Sequence, residues 1–295
     1  MYEIVVISGK GGAGKSSVCA ALAHVSAGQA VLCDLDVDAP DLHIILEPQD
    51  GPATPFMSGN QAVIAAERCT DCGLCASLCR FGAVTRGPSG PVVDGIACEG
   101  CGVCVALCPA HAIDFPEQHC GEWMTGQSRF GDFVHARLFP GEENSGKLIA
   151  LLKREARALA KATGKAFILH DGSPGIGCPV ISSLSGARLA VAVAESTPSG
   201  RHDFERVAAL CRHFRIPVSV IINKADLNPA ATRELRDCIR AEGHDLLGEL
   251  PFSTTISQAM LRKKAFTETS PALHDDMAGM WNRIASRAQE NTRPR

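Results

Sequence analysis

The chain contains 295 residues, of which 45% are hydrophobic and 21% are charged, and its formal net charge is -3 at pH 7. This length suffices for one large hydrophobic core with a small inserted module. The slightly acidic balance offers no basic surface for nucleic acid, so we expect no nucleic-acid partner. The sequence also lacks a signal peptide and any uncharged apolar run of the ~18 residues that a membrane helix needs. It therefore predicts a cytoplasmic protein without an integral membrane segment.

Short apolar segments alternate with longer amphipathic segments along most of the chain. Strands are predicted at residues 3–8, 30–35, 166–171, 189–194, 218–223 and 245–250. Helices are predicted between them, for example at residues 145–163, 201–213 and 229–242. Continuous apolar strands that alternate with helices favour a mostly parallel sheet covered on both faces. The expected fold class is therefore α/β with a doubly wound sheet.

A glycine-rich loop follows the first predicted strand and precedes a helical stretch. Gly9, Gly14, Lys15 and Ser16 have the spacing of a P-loop, in which backbone N–H groups surround phosphate oxygens. Lys15 is expected to neutralise the β- and γ-phosphates, and the Ser16 hydroxyl to bind Mg²⁺. The nucleotide-binding residues predicted in this loop are Gly9, Lys10, Gly11, Gly12, Ala13, Gly14, Lys15, Ser16 and Ser17.

The second lysine of the loop, Lys10, distinguishes it from an ordinary P-loop. The segment "KGGAGKS" at residues 10–16 resembles the deviant Walker A motif of the MinD/ParA/Mrp ATPases, which belong to the SIMIBI class. The resemblance implies that Lys10 reaches the phosphates of the partner subunit in a nucleotide-dependent homodimer. A second cation there would stabilise the negative charge of the transition state. The alternative is a solvated lysine without a catalytic role.

Other segments match elements of the same family in chain order. "CDLDVDAP" at residues 33–40 resembles switch I, where Asp36 would orient the attacking water, and "HDGSPGIG" at residues 170–177 resembles switch II, where Asp171 would hold Mg²⁺ through water. Each of these acids could instead cap a helix. The resemblance also places Asn223 and the backbone near Pro251 around the base. We favour ATP, although Asn-Lys-x-Asp also occurs in GTPases.

Fourteen cysteines are unusual for a reduced compartment, where disulfides are rare, and they point to a metal. Eight of them form an internal repeat in which each cysteine recurs 29 residues later: Cys69, Cys72, Cys75, Cys79, Cys98, Cys101, Cys104 and Cys108. The two "CxxCxxCxxxC" runs resemble a bacterial ferredoxin with two [4Fe–4S] clusters. Structural zinc is the alternative, although zinc sites usually use two separated cysteine pairs.

The ferredoxin resemblance implies crossed ligation, because the fourth cysteine of each run binds the other cluster. One cluster would then take Cys69, Cys72, Cys75 and Cys108, and the other would take Cys98, Cys101, Cys104 and Cys79. Arg80 departs from the pattern, since proline usually follows the fourth cysteine, as Pro109 does. We therefore predict a small α+β ferredoxin-type module at residues 60–118, inserted into an ATPase domain formed by residues 1–59 and 119–295.

These modules together predict an ATPase whose nucleotide state is coupled to two iron–sulfur clusters. The first hypothesis is assembly or delivery of a metal cofactor or an iron–sulfur cluster, with a metallocofactor or redox protein as partner. The second is ATP-gated electron transfer to a partner protein. The third is a positioning switch of the MinD/ParA kind in which the clusters have only a structural role.

Overall fold

The computed structural model describes residues 1–142 and 145–290. The chain divides into two compact units. The first comprises Met1–Thr54, Trp123–Arg137 and Ser145–Arg295, and the second comprises Pro55–Glu122 and Leu138–Asn144. The predicted insertion at residues 60–118 lies inside the second unit, which extends further on both sides.

The helices and strands follow one another in the order that the alternating pattern predicts, with additional short strands. The strands are β1 (Tyr2–Ile7), β2 (Ala30–Asp34), β3 (Gln49–Asp50), β4 (Thr54–Asn60), β5 (Val63–Ile64), β6 (Val84–Gly87), β7 (Gly90–Val93), β8 (Ile113–Asp114), β9 (Glu117–Ser128), β10 (Gly131–Leu138), β11 (Phe167–Asp171), β12 (Leu189–Glu195), β13 (Val218–Asn223) and β14 (Asp245–Glu249). The helices are α1 (Lys15–Val25), α2 (Leu42–Leu46), α3 (Leu74–Leu78), α4 (Val103–Ala106), α5 (Ser145–Thr163), α6 (Cys178–Leu184), α7 (Pro198–His213), α8 (Pro229–Ala241), α9 (Thr254–Leu261) and α10 (Pro271–Glu290), with a 3₁₀ turn at Phe266–Glu268.

The main sheet has the strand order β14-β13-β12-β1-β11-β2-β10-β9-β3. The six strands predicted from the sequence, from β14 to β2 in this order, are all present and pair in parallel. Their order changes direction around β1, because the chain moves from β1 to β2 on one side and later to β12 on the other. This confirms the mostly parallel α/β sheet, and it brings the carboxyl ends of β1, β2, β11 and β12 to one edge.

Side chains of the central strand point alternately to the two faces of the sheet. Ile4 and Val6 of β1 belong to a hydrophobic cluster that also contains Trp281 of α10. Val5 and Ile7 belong to a second cluster, which is built with residues of α6, α7 and α8. A strand that is buried on both faces has a continuous apolar sequence, whereas a half-exposed strand alternates apolar and polar residues. The segment "EIVVI" shows the continuous pattern.

The part of the sheet beyond β2 was not predicted. Strands β9 and β10 are joined by residues 129–130 and lie next to each other in the sheet, and β3 pairs with β9 in antiparallel fashion. The sequence of β9, "EQHCGEWMTGQS", is largely polar, and its buried residues are interrupted by exposed ones. Such a strand carries little of the continuous apolar signal that identified the parallel strands.

In the second unit the internal repeat produces the same local structure twice. Helices α3 and α4 are each preceded by a glycine in the left-handed region, Gly73 with φ 74° and Gly102 with φ 73°. Strand β5 pairs with β8, and β6 pairs with β7. Cys75 lies in α3 and Cys104 lies in α4, whereas the other six repeated cysteines lie in loops.

Helix α10 packs its apolar side on the first unit. Met277 and Ile284 are fully buried, and the ring of Trp281 lies 5.5 Å from that of Phe167 in β11. The C-terminal helix therefore covers part of the sheet. Across residues 1–142 and 145–290, no helix is both long enough and apolar enough to cross a membrane.

We expect Trp281→Ala to lower the free energy of unfolding by about 3–5 kcal/mol, because the indole is removed from a closed core. The exposed neighbour Asn282 is the matched control, and Asn282→Ala should change that free energy by less than about 0.5 kcal/mol. Urea unfolding monitored by circular dichroism measures both. Equal effects of the two substitutions would contradict the packing of α10 on the sheet.

Candidate functional site

The P-loop connects β1 to the first turn of α1, as the sequence predicts. Gly12 and Gly14 have φ angles of 79° and 93°, which lie in the left-handed region that favours glycine. Gly14 immediately precedes α1, so the loop ends at the N-terminus of an 11-residue helix. The N-terminus of a helix carries a positive dipole end and N–H groups without intrahelical partners, which together favour binding of an anion there.

Two glycines of the loop allow close approach to neighbouring elements. A side chain at Gly9 would overlap Asp203 of α7, whose carbonyl oxygen would be 2.6 Å from the added Cβ. A side chain at Gly14 would overlap the amide group of Asn223 at the end of β13. Nothing lies within 4 Å of a Cβ built on Gly11. The P-loop is therefore held between α7 and β13 as well as by its own backbone.

Lys15 is buried between two carboxylates. Its Nζ lies 2.7 Å from Asp171 Oδ1 and 3.2 Å from Asp36 Oδ2, and only 6% of its side chain is exposed. Burial alone would lower the pKa of Lys15, but Asp171 and Asp36 outweigh this and raise the pKa well above its usual value. The lysine is therefore charged at neutral pH. The structure brings together Lys15, Asp36 and Asp171, which the sequence analysis singled out separately.

Asp171 has one oxygen available for a further ligand. The residue is fully buried, and within the described part of the chain nothing hydrogen-bonds its Oδ2. The Ser16 hydroxyl lies 3.5 Å from Lys15 Nζ and so close to the same group of side chains. A hydroxyl and a carboxylate oxygen are the protein groups that bind Mg²⁺ directly or through water beside a nucleotide. These residues therefore fit a magnesium ion.

Asp34 organises the loop that carries Asp36. Its Oδ1 accepts a hydrogen bond of 3.0 Å from the backbone N–H of Asp36, and its Oδ2 accepts one of 3.3 Å from that of Leu42. Burial, together with the neighbouring Asp171, raises the pKa of Asp34 well above its usual value. The Ser173 hydroxyl after β11 donates to the carbonyl of Leu35 at 2.8 Å. The segments that follow β2 and β11 are thus joined directly.

Lys10 lies on the same side of the loop as two residues that the sequence analysis did not single out. Its Nζ is 3.0 Å from Glu195 Oε2 and 3.2 Å from the Ser199 hydroxyl. The other oxygen of Glu195 contacts Lys224, whose ammonium also donates to the carbonyl of Gly12 at 3.3 Å. Glu195 ends β12 as Asp171 ends β11, and this shared position is the signal that could have identified it.

The comparisons with known proteins identify the family. The model of the CobQ/CobB/MinD/ParA nucleotide binding domain matches residues 4–266. The chain belongs to this family. The uncharacterized protein MJ0578 of Methanocaldococcus jannaschii is 31% identical over 230 residues, which are 77% of this chain and 80% of that protein.

Solved structures of CobQ/CobB/MinD/ParA proteins share the fold at low identity. The septum site-determining protein MinD of Pyrococcus horikoshii, complexed with Mg-ADP, gives a TM-score of 0.59 at 14% identity and covers 99% of both chains. The complex of a Cyanothece McdA variant with ATP gives 0.54 at 14% identity, covering 97% of this chain and 96% of that chain. At such identities the similarity shows the fold alone.

The region predicted to bind the base lies at the ends of β13 and β14. Asn223 donates from its amide to the carbonyl of Ala13 at 2.9 Å and accepts from the N–H of Lys224 at 2.9 Å. Asp226 accepts a hydrogen bond of 2.6 Å from the N–H of Phe252, which follows the exposed Pro251. Asn223 thus braces the P-loop of this nucleotide-binding domain, while its contact with the base and that of Pro251 stay predictions.

In the second unit the eight repeated cysteines line two cavities of similar size. One cavity, of about 340 Å³ including its mouth, is lined by Cys69, Cys72, Cys75 and Cys108. Another, of about 310 Å³, is lined by Cys79, Cys98, Cys101 and Cys104. In each cavity three cysteines come from one run and the fourth from the other run. This is the same division of the eight residues that the ferredoxin resemblance implies.

Backbone N–H groups point at several of these sulfurs. Ala83 donates to Cys79 Sγ and Ala112 to Cys108 Sγ, both at 3.3 Å, so the fourth cysteines of the two runs have equivalent partners. Cys69 Sγ accepts from the N–H of Asp71 at 3.4 Å. Within residues 1–142 and 145–290, no group of three or more His, Cys, Asp or Glu side chains is arranged to hold a metal ion. The cysteines of each set therefore line a cavity and do not converge on a point.

We expect Gly9→Ala to lower the free energy of unfolding of the nucleotide-free protein by about 1–3 kcal/mol, because the new methyl group overlaps α7. Gly11→Ala is the matched control in the same loop, and it should change that free energy by less than about 0.5 kcal/mol. Urea unfolding in the absence of nucleotide measures both. A Gly9→Ala variant as stable as Gly11→Ala would contradict the close packing of the P-loop against α7.

Proposed function

We propose that the protein is a MgATP-hydrolysing enzyme that forms a nucleotide-dependent homodimer, and that its nucleotide state is coupled to two [4Fe–4S] clusters. The observation that carries the proposal is the presence, in one chain, of the buried Lys15–Asp36–Asp171 group beside a P-loop and of two cavities with four cysteines each. We assign the coupled system to the assembly or delivery of a metal cofactor or an iron–sulfur cluster.

The charges around Lys15 support phosphate chemistry. Asp171 and Asp36 hold the ammonium of Lys15 beside the P-loop. A polyphosphate that binds to the loop would therefore contact a cation that is already oriented. Magnesium, when bound, would neutralise negative charge on the phosphates. Ser16 and the available oxygen of Asp171 would hold it, and Asp36 would then be released from Lys15 to orient the attacking water. Each of these roles uses a group that already lies beside Lys15.

Dimerisation is proposed because the loop supplies a second ammonium. Lys10 is 36% exposed, whereas Lys15 is buried, so Lys10 is able to reach a second subunit. An additional cation at the phosphates would favour the transition state, in which negative charge develops. We propose ATP as the nucleotide, with Asn223 and the backbone near Pro251 at the base.

Substitution of the two lysines should separate binding from hydrolysis. Lys15→Ala should abolish ATP binding, because it removes the buried cation and leaves Asp36 and Asp171 unpaired. Lys10→Ala should keep the affinity for ATP within a few-fold, but lower kcat by roughly 10³-fold, in line with cations supplied by a partner in related chemistry. Isothermal titration calorimetry and phosphate release measure the two effects. Normal hydrolysis by Lys10→Ala would contradict the cross-subunit role.

The crossed division of the cysteines supports two [4Fe–4S] clusters. A single ion needs ligands that converge on one point, whereas the thiolates of a cubane bind four different iron atoms and lie around its outside. Cysteines that line a cavity are compatible with the second arrangement. The N–H groups aimed at Cys79 and Cys108 are also of the kind that tunes cluster potentials.

Two double variants test the crossed ligation directly. Cys69→Ala with Cys108→Ala removes two ligands from one proposed set, so about half of the iron and sulfide should remain. Cys69→Ala with Cys79→Ala removes one ligand from each proposed set, although both residues belong to the same run, and nearly all iron should be lost. Anaerobic purification followed by iron and sulfide analysis measures both. The opposite pattern would show that each run binds its own cluster, and zinc in place of iron would contradict clusters altogether.

Chain connectivity supports coupling between nucleotide and clusters. The chain enters the second unit shortly after switch I and α2, and it returns from that unit directly into α5. Lys153 of α5 donates to the carbonyl of Ser183 in α6 at 2.5 Å, and the Ser183 hydroxyl accepts from the N–H of Ser173 in switch II at 3.4 Å. Movements of either switch on hydrolysis would therefore act on the segments at the two ends of the insertion.

ATP-gated electron transfer is the second candidate. Four cysteines around each cavity favour it, because a permanently held cluster suits electron transfer better than donation. Incubation of the holoprotein with MgATP and an apo-ferredoxin acceptor separates the two functions. Assembly or delivery predicts loss of iron and sulfide from the protein and their appearance in the acceptor. Electron transfer predicts full retention of iron and sulfide. Clusters reduced beforehand with dithionite should then pass electrons to an added redox acceptor only when ATP is present. No effect of ATP on cluster content or on electron transfer would leave a positioning switch.

A further inference from the structure

Glu195 holds two lysines beside the P-loop. One carboxylate oxygen lies 3.0 Å from Lys10 Nζ, and the other contacts the ammonium of Lys224. The Glu195 side chain is 10% exposed, so these interactions are formed at the edge of the core. Burial would raise the pKa of Glu195, but Lys224 and Lys10 lower it below its usual value, which keeps the carboxylate ionised.

In the isolated subunit Lys10 is engaged by groups of its own chain. Its ammonium is engaged by Glu195 and, at 3.2 Å, by the hydroxyl of Ser199 in the first turn of α7. Both partners belong to the same chain as the lysine. To bind the phosphates of another subunit, Lys10 has to break its ion pair with Glu195. The free energy lost with this ion pair offsets part of the free energy gained from the phosphates.

We propose that Glu195 is a positioning residue that retains Lys10 on its own subunit until the nucleotide phosphates of a second subunit compete for it. Glu195 thereby sets the protein concentration at which the nucleotide-dependent dimer forms. This inference rests on the proposed function, because it requires Lys10 to act across the dimer. It adds a residue that restrains the lysine before the dimer forms.

Lys224 lowers the free-energy cost of releasing Lys10 from Glu195. After Lys10 leaves, Glu195 keeps Lys224, which is itself held by the carbonyl of Gly12 at 3.3 Å. The carboxylate is therefore not left as an unpaired charge, which would be strongly unfavourable at a buried site. The Glu195–Lys224 pair remains in each subunit after Lys10 leaves. We therefore expect the Glu195–Lys10 interaction to have the modest strength of a partly exposed ion pair.

Glu195→Gln tests the inference because glutamine keeps the shape and an acceptor for Lys224 but removes the charge. If each Lys10 is about threefold more available, the dimer dissociation constant should fall roughly tenfold, since both subunits must release their lysine. Analytical ultracentrifugation with a non-hydrolysable ATP analogue and Mg²⁺ measures it. The protein concentration at which the ATPase rate per subunit reaches half of its maximum should fall in parallel. The affinity for the nucleotide should stay within twofold of the wild type.

Three companion variants separate this role from a structural one. Ser199→Ala removes the other contact of Lys10 and should strengthen the dimer about twofold, whereas Lys224→Gln should not strengthen it. The gain from Glu195→Gln should disappear in a Lys10→Ala background. An unchanged or weaker Glu195→Gln dimer, or a gain that persists without Lys10, would overturn the inference. If Lys10→Ala alone dimerises like the wild type, the proposed cross-subunit lysine is wrong, and the restraint fails with it.

Discussion

The structure depends on one buried ammonium between two carboxylates. Lys15 is 6% exposed and lies at the edge of the sheet where β1, β2 and β11 end, with Asp171 and Asp36 as its partners. A buried charge is tolerated only when it is paired, so the strand order that brings these ends together is also what makes the lysine possible. The same arrangement leaves one oxygen of Asp171 available beside the cation. Positive and negative groups are thus already in place for a phosphate and a divalent ion.

Much of the first unit could be predicted because its physical signals are local. The apolar runs of β1, β11, β12 and β13 are short, continuous and buried on both faces, and the P-loop has a fixed spacing that only a strand, a turn and a helix can satisfy. Strand β9 was missed because its sequence is polar and exposed residues interrupt its buried ones. In β10 four consecutive residues are buried, but Asp132, His135 and Arg137 interrupt the apolar pattern. Their place in the sheet depends on pairing with distant segments, which no local pattern encodes.

The functional residues also divide into those with a local sequence signal and those without one. Lys15, Asp36 and Asp171 could be predicted because each belongs to a motif or ends an apolar strand. Glu195 was missed although it ends β12, since an isolated acidic residue after a strand carries no motif. The bracing role of Asn223 on the carbonyl of Ala13 was also missed, because it joins residues 210 positions apart. The structure therefore adds an account of what holds the phosphate loop in place and of what holds Lys10.

We expect the proposed clusters to stabilise the second unit. A small insertion made of short helices and strand pairs buries little apolar surface, so bound clusters would contribute to its stability as well as to its chemistry. The central claim is that the nucleotide in the first unit changes the properties of the two proposed clusters. The most direct measurement is the electron paramagnetic resonance spectrum and reduction potential of the anaerobically purified protein without nucleotide, with MgADP and with a non-hydrolysable MgATP analogue. We predict that the analogue shifts the potential of at least one cluster in the wild type and leaves that of Lys15→Ala unchanged. Identical spectra and potentials in all three states, or a protein without iron, would contradict the account.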